Sequence, residues 1–282
     1  MGSNSRWSAL RDPRLTGYFE RIGYRGSPRA DLETLRDLHR AHPAAIPVEH
    51  LDVQLGRVPP LDVDAVFDKL VTRRRGGWCY EMNTLLGWAL EEVGISVTRL
   101  SCGVMREVRG DEVMGCHLAL LVECEGQWLV DVGFGGSLAE PLPLAEGRRD
   151  DAPFAVSLTR TADGHWRFAQ RCDGDPHSFD FRAEPADEDL LLAVRDRQAT
   201  HPESKFTLNF VAQRRLRERH VSLRGRVLTD QSANGQQRRL IADDEDFHVT
   251  LRDLFGIDEP QARTIWPAVY ARHAVLFEEE AA

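Results

Sequence analysis

The feature that most constrains the fold is a change of hydrophobic period at Gly94. Before it, apolar residues recur at helical spacing. Leu32, Leu35 and Leu38 follow Asp31, and Val66, Phe67, Leu70 and Val71 follow Asp62 and Asp64. The run Met82, Leu85, Leu86, Ala89, Leu90 and Val93 keeps a 3.6-residue period from Cys79 onward, and Gly94 is a natural C-cap. After Gly94 the texture is short, β-rich and turn-punctuated: "ISVTRLSCGVM", "CHLALLVEC", "QWLVDVGF", "FAVSLTR" and "HWRFAQR". From Glu188 helical and strand patterns mix. "SKFTLNFVAQRR" and "RVLTDQ" read as strands, "DDEDFHVTLRDLFGI" and "EPQARTIWPAVYARHAVLF" as helices, and "AHPAAIPVEHLDV" as a proline-broken loop. A chain that is helical, then β, then mixed is α+β and multidomain. We place the divisions at 1–94, 95–187 and 188–282.

Composition narrows the function classes. The 282 residues are 42% hydrophobic and 29% charged, an ordinary globular balance. A net charge of −9 disfavours nucleic acid as the main partner. No stretch approaches the length of an apolar membrane span. "MGSNSRWSALRDPR" lacks the apolar core of a signal peptide, so a cytoplasmic location is expected. Five cysteines without a CxxC pair fit a reduced chain better than a disulfide scaffold. Cys116 beside His117 has no second pair at ligand spacing, so no metal site is expected. Basic residues cluster at Arg73 to Arg75 and from Arg214 through Arg226, either as a solvated face or as a contact for a phosphorylated ligand.

The chemistry concentrates in "RRRGGWCYEMN", Arg73 to Asn83. Cys79 opens the longest apolar helix, where unpaired N–H groups and the positive end of the helix dipole favour a thiolate. Those N–H groups could also hold an oxyanion. Gly76 and Gly77 would let the backbone turn tightly and leave space for a substrate. A buried structural cysteine is the plainer reading; the glycines and the helix start tilt it toward a nucleophile. A nucleophile needs a base, and the base an orienter. His117 opens the strand "HLALLV", and Asp131 lies near the end of the next, "WLVDVGFGG". An acid amid "LVDVGF" is costly unless paired. A two-residue hairpin loop would put the two on opposite faces. A three-residue loop, Cys124-Glu125-Gly126, pairs 119 with 131 and makes them diagonal neighbours, with glycine suited to a G1 bulge.

"RGGWCYE", "CHLALLV" and "VDVGFGG" together resemble the signature segments of bacterial-type arylamine N-acetyltransferases, and "GYFERIGYRG", "HPESKFTLNFVAQR" and "LFGI" extend the resemblance over most of the chain. It implies a helical bundle, a central β-barrel and a C-terminal α/β lid around a papain-like Cys-His-Asp core of Cys79, His117 and Asp131. It implies ping-pong transfer of acetyl from acetyl-CoA, through an acetyl-cysteine, to an arylamine or aryl hydrazide, without a metal. It places CoA near Thr207 and makes Arg75 and Glu81 an ion pair near the cysteine. Trp78 and Phe134 are candidate walls for a flat ring, and Gly133, Gly135 and Gly136 a loop that admits a ligand close to backbone. Trp78, where a smaller aromatic is usual, and Cys116, where threonine is, bear on acceptor preference. A papain-like thiol hydrolase, an ansamycin-type amide synthase and a non-enzymatic ligand-binding homologue remain rival readings.

Overall fold

The computed structural model describes residues 12–136, 138–172 and 175–277 and, at residues 172, 175 and 176, the backbone alone. The helical part holds α1 (Arg14–Ile22), α2 (Leu32–Ala45), a short strand β1 (Val48–Glu49), α3 (Leu51–Gln54), α4 (Val63–Phe67), a π-helical turn at Asp68–Thr72, and α5 (Cys79–Val93). Asp31 and Asp62 cap α2 and α4, accepting from the Thr34 and Ala65 amides at 2.9 and 2.8 Å. Gly94 ends α5 at φ 98°, as its C-cap position requires. Pro43 lies inside α2, so the expected proline-broken loop at residues 41–53 is a helix end followed by β1 and α3. Near the C-terminus of a helix the missing N–H removes a single backbone bond, which packing of Leu35, Leu38 and His42 offsets.

An eight-stranded antiparallel sheet follows. Its strands are β2 (Ser96–Val104), β3 (His117–Glu123), β4 (Gln127–Val130), β5 (Leu142–Pro143), β6 (Gly147–Asp151), β7 (Phe154–Arg160), β8 (Trp166–Cys172) and β9 (Asp175–Phe181), in the order β5-β4-β3-β2-β9-β8-β7-β6. Between β2 and β3 stands α6 (Arg106–Arg109). The edges β5 and β6 are not paired with each other among the described residues, so the expected barrel is a curled open sheet. Its concave side holds Leu100, Phe134, Leu158, Phe168, Phe179 and Phe181.

The remainder contains α7 (Glu188–Thr200), α8 (Lys205–Leu208), β10 (Val211–Leu216), β11 (Arg219–Arg224), β12 (Val227–Ser232), β13 (Gly235–Leu240), α9 (Asp244–Phe255) and α10 (Trp266–Phe277). β1 joins β10–β13 as the edge of a second antiparallel sheet. The stretch read as one strand from Ser204 is therefore a helical turn, capped by the Ser204 hydroxyl on the Phe206 amide, and then a strand from Val211. Packing of Met82, Leu85, Leu86 and Ala89 against Leu120, Val122 and Val130 seats α5 on the first sheet.

Candidate active site

Cys79 is the first residue of α5 and is 6% exposed. The turn that presents it is fixed from behind. Glu81 accepts from the Trp78 amide at 3.2 Å, and its carboxylate meets the Lys69 ammonium at 2.8 Å. Lys69 also holds Asp52 at 2.7 Å, and all three side chains are buried. Arg75 does not reach Glu81, contrary to expectation. It pairs with Glu49 at 2.7 Å, Glu259 at 3.1 Å and Asp52 at 3.4 Å, so Asp52 joins the two cations. Lys69, from the π-helical turn, pairs with Glu81 instead. Burial pushes the Glu81 carboxyl up to about 7 while Lys69 pulls it down.

Gly76 and Gly77 make space for the protein itself. A Cβ on Gly76 would stand 2.4 Å from the Pro47 carbonyl, and one on Gly77 would stand 2.7 Å from Glu81 Oε2. These contacts let the segment run beside β1, where Gly77 accepts from the Glu49 amide at 3.0 Å. The room expected there for a substrate is filled.

The hairpin joining β3 and β4 has the three-residue loop. Glu123 pairs with Gln127 and Leu120 with Val130, which sets 119 opposite 131. Positive φ falls on Glu125 (51°) as well as on Gly126 (126°), so the loop departs from a G1 bulge with glycine alone in that conformation. In this register His117 Nε2 and Asp131 Oδ2 are 2.8 Å apart, and both side chains are buried. Cys79 acts on the same imidazole electrostatically. Burial opposes a charge on the ring, but Asp131 and Cys79 outweigh it and lift His117 to about 10. Burial likewise pushes Asp131 up, and His117, Asn83 and the Gly133 amide hold it below the usual carboxylate range. Phe134 and Phe179 flank the imidazole at 5.2 and 5.0 Å.

Three supports escaped the sequence reading. Asn83 donates to Asp131 Oδ1 at 2.9 Å and to the Leu118 carbonyl at 2.8 Å, and accepts from the Val132 amide at 3.1 Å. The Tyr80 hydroxyl donates to the Gly115 carbonyl at 2.5 Å. Gln198, on α7, donates to the Cys116 carbonyl at 3.1 Å, so the residues before His117 are held from two sides. Asn83 had a legible signal, its four-residue spacing from Cys79 on one helix face. Gln198 had none.

The remaining candidates scatter. Trp78 is 1% exposed, packed on Tyr80 and Phe206. Its ring is core rather than an open wall. Phe134 backs His117 and packs on Phe168 and Phe179. A Cβ on Gly133 would stand 2.5 Å from the Cys79 Cα, and one on Gly136 2.6 Å from the Phe154 ring; Gly135 lines a cavity of about 690 Å³. The Thr207 hydroxyl donates to the His201 carbonyl at 2.8 Å, on α8 rather than on a strand. Cys102, Cys116 and Cys124 are free thiols like Cys79; the side chain of Cys172 lies outside the described residues. Among the described residues, no cluster of three His, Cys, Asp or Glu could hold a metal, and no helix is long and apolar enough to cross a membrane.

The chain matches the N-acetyltransferase family over residues 31–263. It is 41% identical to an arylamine N-acetyltransferase of Mycolicibacterium smegmatis, over 76% of this chain and 81% of that one. It is 35% identical to the Mycobacterium tuberculosis enzyme of the same name, over 86% and 89%. Among solved structures, the arylamine N-acetyltransferase of Mycobacterium marinum in complex with CoA superposes with a TM-score of 0.81 at 33% identity, covering 92% of this chain and 97% of that one. The Salmonella typhimurium protein gives 0.83 at 28% identity, covering 92% and 98%.

Proposed function

The chain belongs to the arylamine N-acetyltransferase family, and from that premise we propose that it carries acetyl from acetyl-CoA to an arylamine or aryl hydrazine through an acetyl-cysteine on Cys79. The observation that supports this most is the buried His117 imidazole, 2.8 Å from the Asp131 carboxylate and under the electrostatic influence of Cys79. In the first half-reaction the Cys79 thiolate attacks the thioester carbonyl. The tetrahedral intermediate expels the CoA thiolate, which takes the proton held on His117. In the second, the amine nitrogen attacks the acetyl-cysteine, its proton passes to His117, and the Cys79 thiolate leaves. Asp131 stabilises the imidazolium and fixes the ring.

Two features favour transfer to an amine over hydrolysis. Cys79 is 6% exposed, which limits bulk water at the acyl group. An arylamine is neutral near pH 7 and keeps its lone pair, while most alkylamines are protonated. Intact-protein mass spectrometry tests the reading. Acetyl-CoA should add one acetyl group, on the peptide carrying Cys79, and an arylamine should remove it. Adduct on Cys102, Cys116, Cys124 or Cys172, or loss of the acetyl group as fast without amine as with it, would refute the proposal.

A further inference from the structure

Helix α8 brings one cation to the side of the nucleophile. The Phe206 side chain, 8% exposed, shares an apolar cluster with Cys79, Trp78 and Tyr80. Its ring lies 5.5 Å from the Trp78 ring and 4.6 Å from the His50 ring. Gln54 of α3 fixes the turn, donating to the Phe206 and Thr207 carbonyls at 2.6 and 2.9 Å. Lys205 precedes Phe206, and its Nζ stands 4.9 Å from the centre of the Phe206 ring. A solvated lysine ordinarily carries its charged head out into water. This one is exposed, yet its head is folded over a ring that packs on the residue before Cys79.

The ammonium has no counter-charge there. Among the described residues it makes no ion pair and no hydrogen bond. Surrounding protein pushes it below its ordinary range, Cys116 and then Cys79 push it back up, and Arg109, at the end of α6, opposes them. None of these groups is a carboxylate. His50 feels the same ammonium, so its charge reaches the residues on both sides of the Phe206 ring. The influence of an ammonium fades over about 10 Å in salt solution, so one that Cys79 feels also reaches a group held at Cys79. The chain as a whole carries a net charge of −9, which makes this uncompensated positive spot a local feature.

We propose that Lys205 sets acceptor specificity, selecting arylamines that carry a carboxylate, of the aminobenzoate class, over neutral ones of the same shape. The proposal rests on the acetyl-transfer reading for the reaction itself. A carboxylate that accepts from the ammonium gains a charge-assisted hydrogen bond, which a neutral amide does not match. Distance favours the acceptor over the acyl donor as the source of the negative charge. A carboxylate on an arylamine lies a ring's width from the nitrogen that attacks the acetyl group. The phosphates of CoA lie at the far end of the long pantetheine arm from the reacting sulfur.

Two measurements on the full chain decide. The first is kcat/KM for para-aminobenzoate and para-aminobenzamide, which differ in charge and little in shape, in wild type, Lys205→Met, Lys205→Arg and Lys205→Glu. The ratio should favour the benzoate in wild type and fall by roughly tenfold or more in Lys205→Met, through KM, the scale of one lost charged hydrogen bond. It should fall further in Lys205→Glu and be kept in Lys205→Arg. An unchanged ratio in Lys205→Met overturns the proposal. So does an equal loss for both amines, which marks a structural role. So does a loss confined to acetylation of Cys79 by acetyl-CoA while a phosphate-free acetyl thioester is unaffected, which assigns the cation to the donor. The second measurement needs no acetyl transfer: alkylation of Cys79, read by mass, with iodoacetate and with neutral iodoacetamide. The rate of the anionic reagent relative to the neutral one should fall in Lys205→Met and further in Lys205→Glu; a level ratio overturns the proposal. If Cys79 takes no acetyl group from acetyl-CoA while the alkylation ratio falls as expected, the acetyl-transfer reading fails and the charge selection at Cys79 stands without it.

Discussion

Asn83 is the residue whose replacement best separates a built site from a mere cluster. In Asn83→Ala three buried bonds disappear: to the Leu118 carbonyl (2.8 Å), from the Val132 amide (3.1 Å) and to Asp131 Oδ1 (2.9 Å). Asn83 is fully buried, so water cannot replace it without opening the α5–β3 contact. Two neutral bonds at about 1 kcal/mol each and one to a carboxylate at about 2 give a loss of roughly 4 kcal/mol. Asp131 Oδ1 would still accept from the Gly133 and Phe134 amides, at 2.8 and 3.2 Å. Transfer should therefore fall less than in Asp131→Ala. Asn83→Asp should behave differently, since it sets a second carboxylate against Asp131 and two such groups resist joint ionisation. One of them should hold its proton above the usual range, so that variant should lose stability relative to wild type as pH rises from 5 to 8. Urea unfolding followed through the fluorescence of Trp78 and Trp88, which precede and lie on α5, measures both effects. A cost below about 1 kcal/mol for Asn83→Ala would refute the view that this side chain ties α5 to the strands bearing His117 and Asp131.

Gly133→Ala should fold poorly or lose nearly all transfer, because its methyl would meet the Cys79 Cα at 2.5 Å and neither backbone can yield cheaply; near-wild-type rates would contradict the geometry. Asp131→Asn should let burial prevail at His117, dropping it from about 10 to below its ordinary 6.5, with transfer falling by roughly 10²–10⁴-fold; an imidazole that NMR still finds protonated at pH 7 would defeat the electrostatic account. Acid should destabilise the fold steeply. Burial, the first cause in each case, depresses His39 to about 4 and His42 and His220 to about 3. Below 6.5 the unfolded chain therefore binds more protons than the folded one, and stability present above 6.5 is lost as pH falls toward 4, by up to roughly 4 kcal/mol per pH unit for the three together. His117, raised to about 10, works in the opposite sense, its contribution complete below 6.5 and lost as pH rises through 10. Denaturation midpoints that stay level from pH 7 to 5 would contradict the burial of these rings.

Periodicity and spacing carried the site a long way. The 3.6-residue run placed Cys79 at the start of α5, and strand parity required the three-residue hairpin that sets His117 beside Asp131. Parity works because a one-residue slip changes the face of every side chain. Partners across the fold were another matter. "RGGWCYE" supplies an arginine and a glutamate a few residues apart, yet Glu81 pairs with Lys69 and Arg75 with Glu49. Lys69 stands in a π-helical turn, and the five residues of "DKLVT" carry no periodic mark of one. The second sheet misleads for a related reason. Alternating polar and apolar residues ordinarily mean one solvated face, but here that face lines a cleft against Phe154 and Gln170 of the first sheet, with His220 and Gln231 buried and Arg224 exposed.

What a sequence reader can still use is the position of polar residues inside a helix that is buried all round. From Cys79 to Leu90 every residue of α5 is buried. Glu81, Asn83 and Thr84 interrupt that run, and each is buried against a partner: Glu81 against Lys69, Asn83 against Asp131, and Thr84 through its hydroxyl, which accepts from Arg99 at 2.9 Å. A polar side chain with no solvated face to turn to must have a partner elsewhere, because burying it unpaired costs more than a hydrogen bond returns. Polar residues in such a run therefore mark where other segments attach. Here they mark the π-helical turn, the aspartate beyond β4 and strand β2. Two of those three brace the turn at Cys79 and the carboxylate of Asp131, so the residues that look least suited to a buried helix fix the geometry of the candidate site at its end.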